Sequence, residues 1–436
     1  MDTKIKLNEA DAELKAAFSQ DVGEKVVHNE AVEEKPAPDT TEKQRQKPKR
    51  KWQKSEILMM AGGMVGVIGG ATCILFAVLQ PSAEFMEVNF PKIPSIDTAN
   101  VTYSTLTGEV LANADKKDAP IYCIQTPNGT DGARPQAGLN RAGVIFEAIA
   151  EAGITRFAGI YQDPATSIIG PIRSLRMYYL QWDTPFDCVI VHAGGADDAL
   201  NAVRSGGYKD LSEDYSYMYR GTYGSRLWNN LFTTSSALER FSSEHNYNSA
   251  EAKGFARMTP EESDKLRVDT LAMEKLDIVK PTSSDTSALN GATTAITLRF
   301  GGTPNFNVSY TYDTKSNKYL RSYESGLSHD VYDCEAGDLG ERNPEDACTL
   351  TQMSPSVVIA MVVQESRATD NYHESITTTG SGDAYIFQNG MAIKGRWTKE
   401  SVADQIKFTD EDGKEVKLAP GQTIISAIPG YGSIDF

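Results

Sequence analysis

Residues 137 to 162 read AGLNRAGVIFEAIAEAGITRFAGIYQ, and the class of the fold turns on them. The stretch 137–153 mixes alanine, isoleucine and glutamate and ends on Gly153, a residue type that often closes helices. It reads as an amphipathic helix with Glu147 and Glu151 four apart on one face. ITRFAGIYQ, 154–162, reads as a strand. The alternation continues on both sides. APIYCIQ (119–125) is a strand pattern. GPIRSLRMYYL (170–180) reads as a mostly apolar helix with Pro171 in its first turn and Arg173 and Arg176 three apart on one face. FDCVIVHAGG (186–195) is a strand running into two glycines, and ADDALNAVRSGG (196–207) a short helix. This order predicts an α/β layer with a mixed or largely parallel sheet, spanning 118–245.

The signal changes further along. Residues 246–290 are polar and read as a connector, with TPEESDKL (259–266) a helix start of the capping-box kind. From 291 to 436 the chain is rich in strand patterns, among them TTAITLRFGG, NFNVSYTYD, KYLRSYE and SVVIAMVVQ. Asn389-Gly390 and Asp412-Gly413 read as hairpin turns with two positive φ angles each. The expected class is α+β: a membrane helix, an α/β domain with a mixed sheet, and a smaller β-rich C-terminal domain.

Residues 57–79, ILMMAGGMVGVIGGATCILFAVL, carry no charge. At 1.5 Å per residue they extend about 34 Å, enough to cross a bilayer. The basic run RQKPKRKWQK (45–54) precedes them and only acids follow at once. Positive residues stay inside. The expectation is a single-pass signal anchor, with a disordered cytoplasmic tail (1–56), a stalk (80–117) and everything after residue 80 outside the cytoplasm. A lipoprotein cleavage at Cys73 fits poorly, because Thr72 is bulky and the cysteine lies deep in the apolar run. Gly62, Gly66 and Gly70 make a smooth stripe suited to self-association of the helix. The first 56 residues balance their charges, so the net −16 of the chain falls on the part outside. An acidic domain is a poor general binder of nucleic acid.

Of five cysteines, Cys73 lies in the span. Cys334 and Cys348 bracket a polar loop without strand pattern. A disulfide there closes a loop of about 15 residues, worth about 3 kcal/mol on the entropic model. Cys123 and Cys188 sit in apolar strand patterns and read as buried thiols. Nothing in the spacing of Cys or His suggests a zinc site, and no cofactor motif is present.

Ligands of open α/β sheets gather beyond the carboxyl ends of strands. The first strand runs into Arg134 and Gln136, the second into Arg173 and Ser174, the third into His192, Gly194 and Gly195. Arg134, Arg173, Arg176 and His192 are therefore expected to converge on one edge, with Ser174 and Gly194, while Glu147 and Glu151 serve as supporting acids. Arginine grips carboxylate or phosphate with two parallel bonds, so an anionic or wall-derived ligand is the expected partner. Equally, the acids and arginines form a structural network that neutralises buried charge.

Across 118–430 the chain resembles the YerB-like family of bacterial lipoproteins and membrane proteins. The resemblance rests on ARPQAGLNRAGVIFEAIAEAGITRFAGIYQ, IGPIRSLRMYYL, DCVIVHAGG, YLRSYESGLSHD and GSGDAYIFQNGMAIKGRWTK. It implies an α/β N-terminal domain and a smaller β C-terminal domain, and no activity. The family pattern falls on Arg134, Pro135, Gln136, Glu147, Glu151, Thr155, Arg156, Gly170, Arg173, Ser174, Arg176, His192, Gly194 and Asn230. In the second half it falls on Tyr319, Arg321, Gly326, His329 and Asp330. Asn229 stands where the family usually has His, and Ile424 where Trp is usual.

No nucleophile elbow, zinc-protease helix or phosphate loop is present. The favoured reading is an envelope ligand- or partner-binding protein with an arginine-rich site. The alternatives are an envelope enzyme pairing Glu147 or Glu151 with His192, and a structural scaffold.

Overall fold

The structure, a computed structural model, describes residues 101–164, 166–222, 229–268, 291–335 and 342–436. The tail, the proposed membrane span with Gly62, Gly66 and Gly70, and much of the stalk and connector lie outside the described residues.

Strands β1 (Ile121–Pro127), β2 (Val144–Glu151), β3 (Ile154–Gln162), β4 (Val189–Val191) and β5 (Lys209–Leu211) come from the first half of the folded chain, with a β6 (Met218–Arg220) and β7 (Leu231–Thr233) pair beside them. The second half supplies β8 (Gly291–Ala292), β9 (Ala295–Arg299), β10 (Val308–Asp313), β11 (Lys318–Tyr323), β12 (Asp330–Asp333), β13 (Thr349–Gln352) and β14 (Val357–Val363). After these come β15 (Glu365–Arg367), β16 (Glu374–Ile376), β17 (Gly380–Gln388), β18 (Met391–Lys399), β19 (Lys407–Asp410), β20 (Thr423–Pro429) and β21 (Ser433–Asp435). The helices are α1 (Met177–Asp183), α2 (Asp197–Arg204), α3 (Ser235–Glu244), α4 (Pro260–Leu266) and α5 (Pro344–Ala347).

One mixed sheet of 11 strands passes through both halves in the order β19-β18-β17-β14-β20-β2-β3-β1-β4-β5, with β8 on β18. β20 lies parallel to both β2 and β14. β1, β4 and β5 run parallel, whereas β3 is antiparallel to β1 and β2. Helices α1 and α2 cover one face, where Phe146, Ile160, Tyr179, Trp182 and Ile359 pack together. The other face is covered by α3 around Ile124 and Phe157, and by a four-stranded sheet, β11-β10-β9-β21, around Val358 and Phe387. The result is an α+β fold rich in sheet.

The stretch 137–153 is not a helix. A short 3-10 turn at Leu139–Arg141 leads into β2, and Ala152 and Gly153 turn the chain back with positive φ. Every residue of β2 before Glu151 is buried. A strand covered on both faces shows no apolar–polar alternation, and its alanines then mimic a helix. Helix α1 begins only at Met177 and not at Pro171. Residues 172–175 are extended because their backbone bonds go elsewhere. Ile172 N–H donates to Leu231 O, Arg173 N–H to Gln125 O, and Leu175 N–H to Gly194 O. Arg173 and Arg176 thus share no helix face.

The capping box at Thr259 and Glu262 forms as expected. Asn389 and Gly390 both have positive φ, but in the second hairpin only Gly413 does. Cys334 and Cys348 are joined, with Cα atoms 4.4 Å apart. Cys123 and Cys188 are not thiols but a second disulfide, Cα–Cα 5.8 Å. Parallel pairing of β1 with β4 sets Cys123 opposite Ile190, so Cys188 arrives beside it from 65 residues away.

The two halves are pinned by a buried ion pair. Arg321 of β11 grips Glu147 of β2 with two parallel bonds of 2.9 Å, and both side chains are 0% exposed. Removing one partner strands the other charge. Arg321→Met is therefore expected to cost about 3–5 kcal/mol in urea unfolding. Adding Glu147→Leu should cost much less than a second loss of that size, giving a clear coupling in the double-mutant cycle.

Candidate functional site

β1 and β4 end side by side, Ile124 opposite Val191. Beyond Val191 the chain makes the turn His192-Ala193-Gly194-Gly195 and enters α2. Gly194 takes φ +68°, a left-handed conformation that glycine adopts without steric cost. Alternation of such a residue with its neighbours makes a backbone concavity suited to anions. The extended segment 172–176 lies along this turn, Ala193 N–H donating to Arg173 O and Ala196 N–H to Leu175 O. The Ser174 hydroxyl comes within 4.0 Å of where a Cβ on Gly194 would stand.

Arg173 and Ser174 are half-buried, and Gly194 is exposed. Among the described residues, the Arg173 guanidinium, the Ser174 hydroxyl and the N–H groups of Ser174, Gly194 and Gly195 have no hydrogen-bond partner. All five can donate. Burial lowers the Arg173 guanidinium to about 10, and the charge of Arg156 adds to this.

Behind this surface lies a buried cluster of charge. Arg176, 4% exposed, donates to Glu151 at 2.7 Å, and Arg156 donates to the same oxygen at 3.0 Å. Arg156 also donates to Ser174 O at 2.8 Å, tying the cluster to the surface segment. Burial alone would raise the Glu151 carboxyl, but Arg156 and Arg176 outweigh it and hold the group at about 2. Among the described residues, Arg156 Nε, Arg176 Nε and Glu151 Oε2 have no hydrogen-bond partner. Two guanidiniums, those of Arg156 and Arg176, thus share one carboxylate oxygen, while Arg173 feels Asp131 and Glu151 through space without an ion-pair contact.

Glu147 and Glu151 do not share a face. A bulge between Ile149 and Glu151 shifts the register with β3, so the two point to opposite sides of the sheet. Glu147 meets Thr155 and Arg321, whereas Glu151 meets Arg156, the next residue along β3. His192 is 1% exposed, with Nδ1 on Gly194 O at 2.7 Å and Nε2 on Asp210 Oδ1 at 2.9 Å. It braces the glycine turn from below and hydrogen-bonds neither glutamate. Arg134 lies elsewhere. It stacks over Tyr323 at 3.9 Å and donates to Asn128 at 2.8 Å, within the network around Arg321. Of the four expected cations, Arg173, Arg176 and His192 meet through one pair of neighbouring segments, and Arg134 does not join them.

Gly195, Arg156 and Asp210 complete the arrangement and were not among the residues picked from sequence as ligand-binding. Asn229 is buried and donates to Asp131 O and Oδ1 at 3.2 Å, anchoring the loop after β1.

The sequence matches two family descriptions, the N-terminal domain (residues 106–248) and the C-terminal domain (residues 296–425) of a "Protein of unknown function (DUF3048)". It is 27% identical over 339 residues to "Putative lipoprotein YerB" of Bacillus subtilis (strain 168), covering 76% of this chain and 88% of that one. The crystal structure of YerB from Bacillus subtilis superposes with a TM-score of 0.59 at 21% identity, covering 77% of this chain and 100% of the other. That likeness shows the shared fold.

Glu151 makes stability pH-dependent. Its carboxyl is lower in the folded chain than in the unfolded one, so its contribution is complete above about pH 4.5 and is lost as pH falls towards 2. Glu151→Gln should cost about 3 kcal/mol at pH 7 in urea unfolding, and the gap to wild type should close between pH 5 and pH 2.

Proposed function

The chain belongs to the YerB-like family, and we propose that it is a membrane-anchored, extracytoplasmic protein that binds an anionic ligand at Arg173. The observation that carries the binding reading is the half-buried Arg173 guanidinium, which has no partner among the described residues and sits among four other unpaired donors. A charge taken partly out of water without a bonded counter-charge is costly even with Asp131 and Glu151 acting on it from a distance, and an oxyanion offsets that cost with charge-assisted bonds. Ser174, Gly194 and Gly195 supply neutral donors to the same oxyanion. Arg156, Arg176 and Glu151 fix the segment that carries Arg173. His192 fixes the turn that carries Gly194. In this reading Arg176 and His192 position the site and Arg173 grips the ligand.

The extracytoplasmic placement is supported by two disulfides, which persist in oxidising compartments. The relative's name speaks of a lipoprotein, which fits attachment to an envelope. Here the uncharged run 57–79, with its basic flank at 45–54, would serve as the anchor.

Two measurements test this. Titration calorimetry with acetate and with inorganic phosphate should show binding of at least one of them to wild type. Arg173→Lys should weaken it about tenfold with little change in melting temperature, because lysine keeps the charge and loses the planar fork. Protease added to intact cells should digest the part after residue 80 and spare residues 1–56. The reverse pattern would invert the orientation.

A further inference from the structure

At the end of the large sheet opposite β19, where β5 is the edge strand, the surface opens into a cleft of about 750 Å³. Asp210 and Leu211 of β5, the loop 212–216 that follows, and Phe241 and His245 at the end of α3 line it. Its floor is apolar. Leu211 and Phe241 are buried, and the Phe241 ring stacks on His245 with centroids 4.1 Å apart. On its wall stands Tyr215, 61% exposed. An exposed tyrosine ring is ordinarily free to swing, but this one is clamped at its hydroxyl. That hydroxyl donates to Glu213 Oε1 at 2.7 Å and accepts from Arg220 Nε at 2.8 Å. Arg220 closes the triangle by donating to the same Glu213 oxygen at 2.5 Å. A flat apolar ring is thus held out to solvent in one orientation, and a ligand that stacks on it need not order it first.

The carboxylates around the ring are fixed by one oxygen each and keep the other free. Asp210 Oδ1 meets His192 Nε2 at 2.9 Å, and Asp214 Oδ1 accepts from Ser216 N–H at 2.8 Å. Among the described residues Asp210 Oδ2, Glu213 Oε2 and Asp214 Oδ2 have no hydrogen-bond partner. The cleft therefore asks for a donor. Two of the three acids already face a basic side chain, Glu213 with Arg220 and Asp210 with His192, so a cation would compete with groups in place. A hydroxyl would not, and a hydrogen bond to an ionised oxygen is a strong one. A pyranose ring joins both properties: C–H bonds on one face and hydroxyls around the edge. We propose that this cleft binds a glycan, a neutral pyranose unit lying with its C–H face on Tyr215 and donating hydroxyls to Asp210 and Asp214. Ser212, Asp214 and Ser216 are exposed, so the cleft is open to a unit within a longer saccharide. The proposal stands apart from the anion-binding reading. His192 is buried between the two sites, with Nε2 on Asp210 and Nδ1 on Gly194 O.

The test is titration calorimetry on the full chain with cellotetraose, maltotetraose and chitotetraose as neutral glycans and spermidine as a cation. At least one glycan should bind with a Kd of about 1 mM or tighter. Tyr215→Ala should weaken it about tenfold, the loss expected of one stacking contact. Asp214→Asn keeps an oxygen for Ser216 N–H but offers the glycan a neutral amide, and should weaken binding severalfold. Both positions are exposed, so both variants should melt as wild type does. Arg173→Lys should leave glycan binding unchanged, which separates this proposal from the anion-binding reading. Spermidine should not displace the glycan. If no glycan binds at about 10 mM, or if either cleft variant binds it as wild type does, the proposal is overturned. Loss of glycan binding in Arg173→Lys, or displacement by spermidine, would overturn it as well.

Discussion

The Glu147–Arg321 pair sets the terms for the rest of the structure. Two charges fully removed from water are tolerable only when every remaining lone pair and proton is met. Here they are. Glu147 accepts from Thr155 at 3.1 Å and from Ser426 at 3.3 Å, while Arg321 donates to Tyr310 at 2.5 Å and to His329 Nδ1 at 2.7 Å. Since that nitrogen accepts, His329 carries its proton on Nε2 and donates from there to Gln136 Oε1 at 3.1 Å. Burial, with Arg321 nearby, keeps the imidazole neutral, its pKa well below the usual range. Gln136 in turn donates to Pro127 O, the last residue of β1. A chain of bonds thus runs from the second half of the molecule to the strand end on which the Arg173 segment rests.

The bulge in β2 divides the acids between these two tasks. Were the same residues paired as a regular strand, Glu147 and Glu151 would lie on one side and compete for the same cations. With the bulge, Glu147 holds the four-stranded sheet and Glu151 holds the Arg156–Arg176 cluster. The Tyr179 hydroxyl covers the opened pairing, contacting Ala148 N at 3.1 Å and donating to Arg156 O at 2.5 Å. Two buried charge centres therefore sit back to back on one pair of strands, and each has a different set of partners.

Much of this was legible in the sequence, and the failures have a common cause. β1, β3, β4 and α2 declare themselves by composition and by flanking glycines. β2 does not, because both its faces are covered. The extended run 172–175 looks helical because its true partners, Gln125, Leu231 and Gly194, are distant in sequence. The same blindness hid the Cys123–Cys188 disulfide, which depends on β1 and β4 being neighbours. At the site, Arg173, Ser174 and Gly194 were accessible from the rule that ligands gather at strand ends. Arg134 was misplaced for an instructive reason. It too follows a strand end, but the stacking rings of Tyr323 and Phe306 come from the second half of the chain and draw it away.

The place of β20 bears on the order of events during synthesis. Residues 423–429 occupy the middle of the large sheet, between β2 and β14, and hydrogen-bond to both. When the ribosome has made β1 to β5, β2 still has an unsatisfied edge, and it keeps that edge until some 210 further residues have emerged. Pairings of such long sequence separation form late. The growing chain therefore stays open and threadable through most of its length, and the large sheet closes only once its final strands have been made.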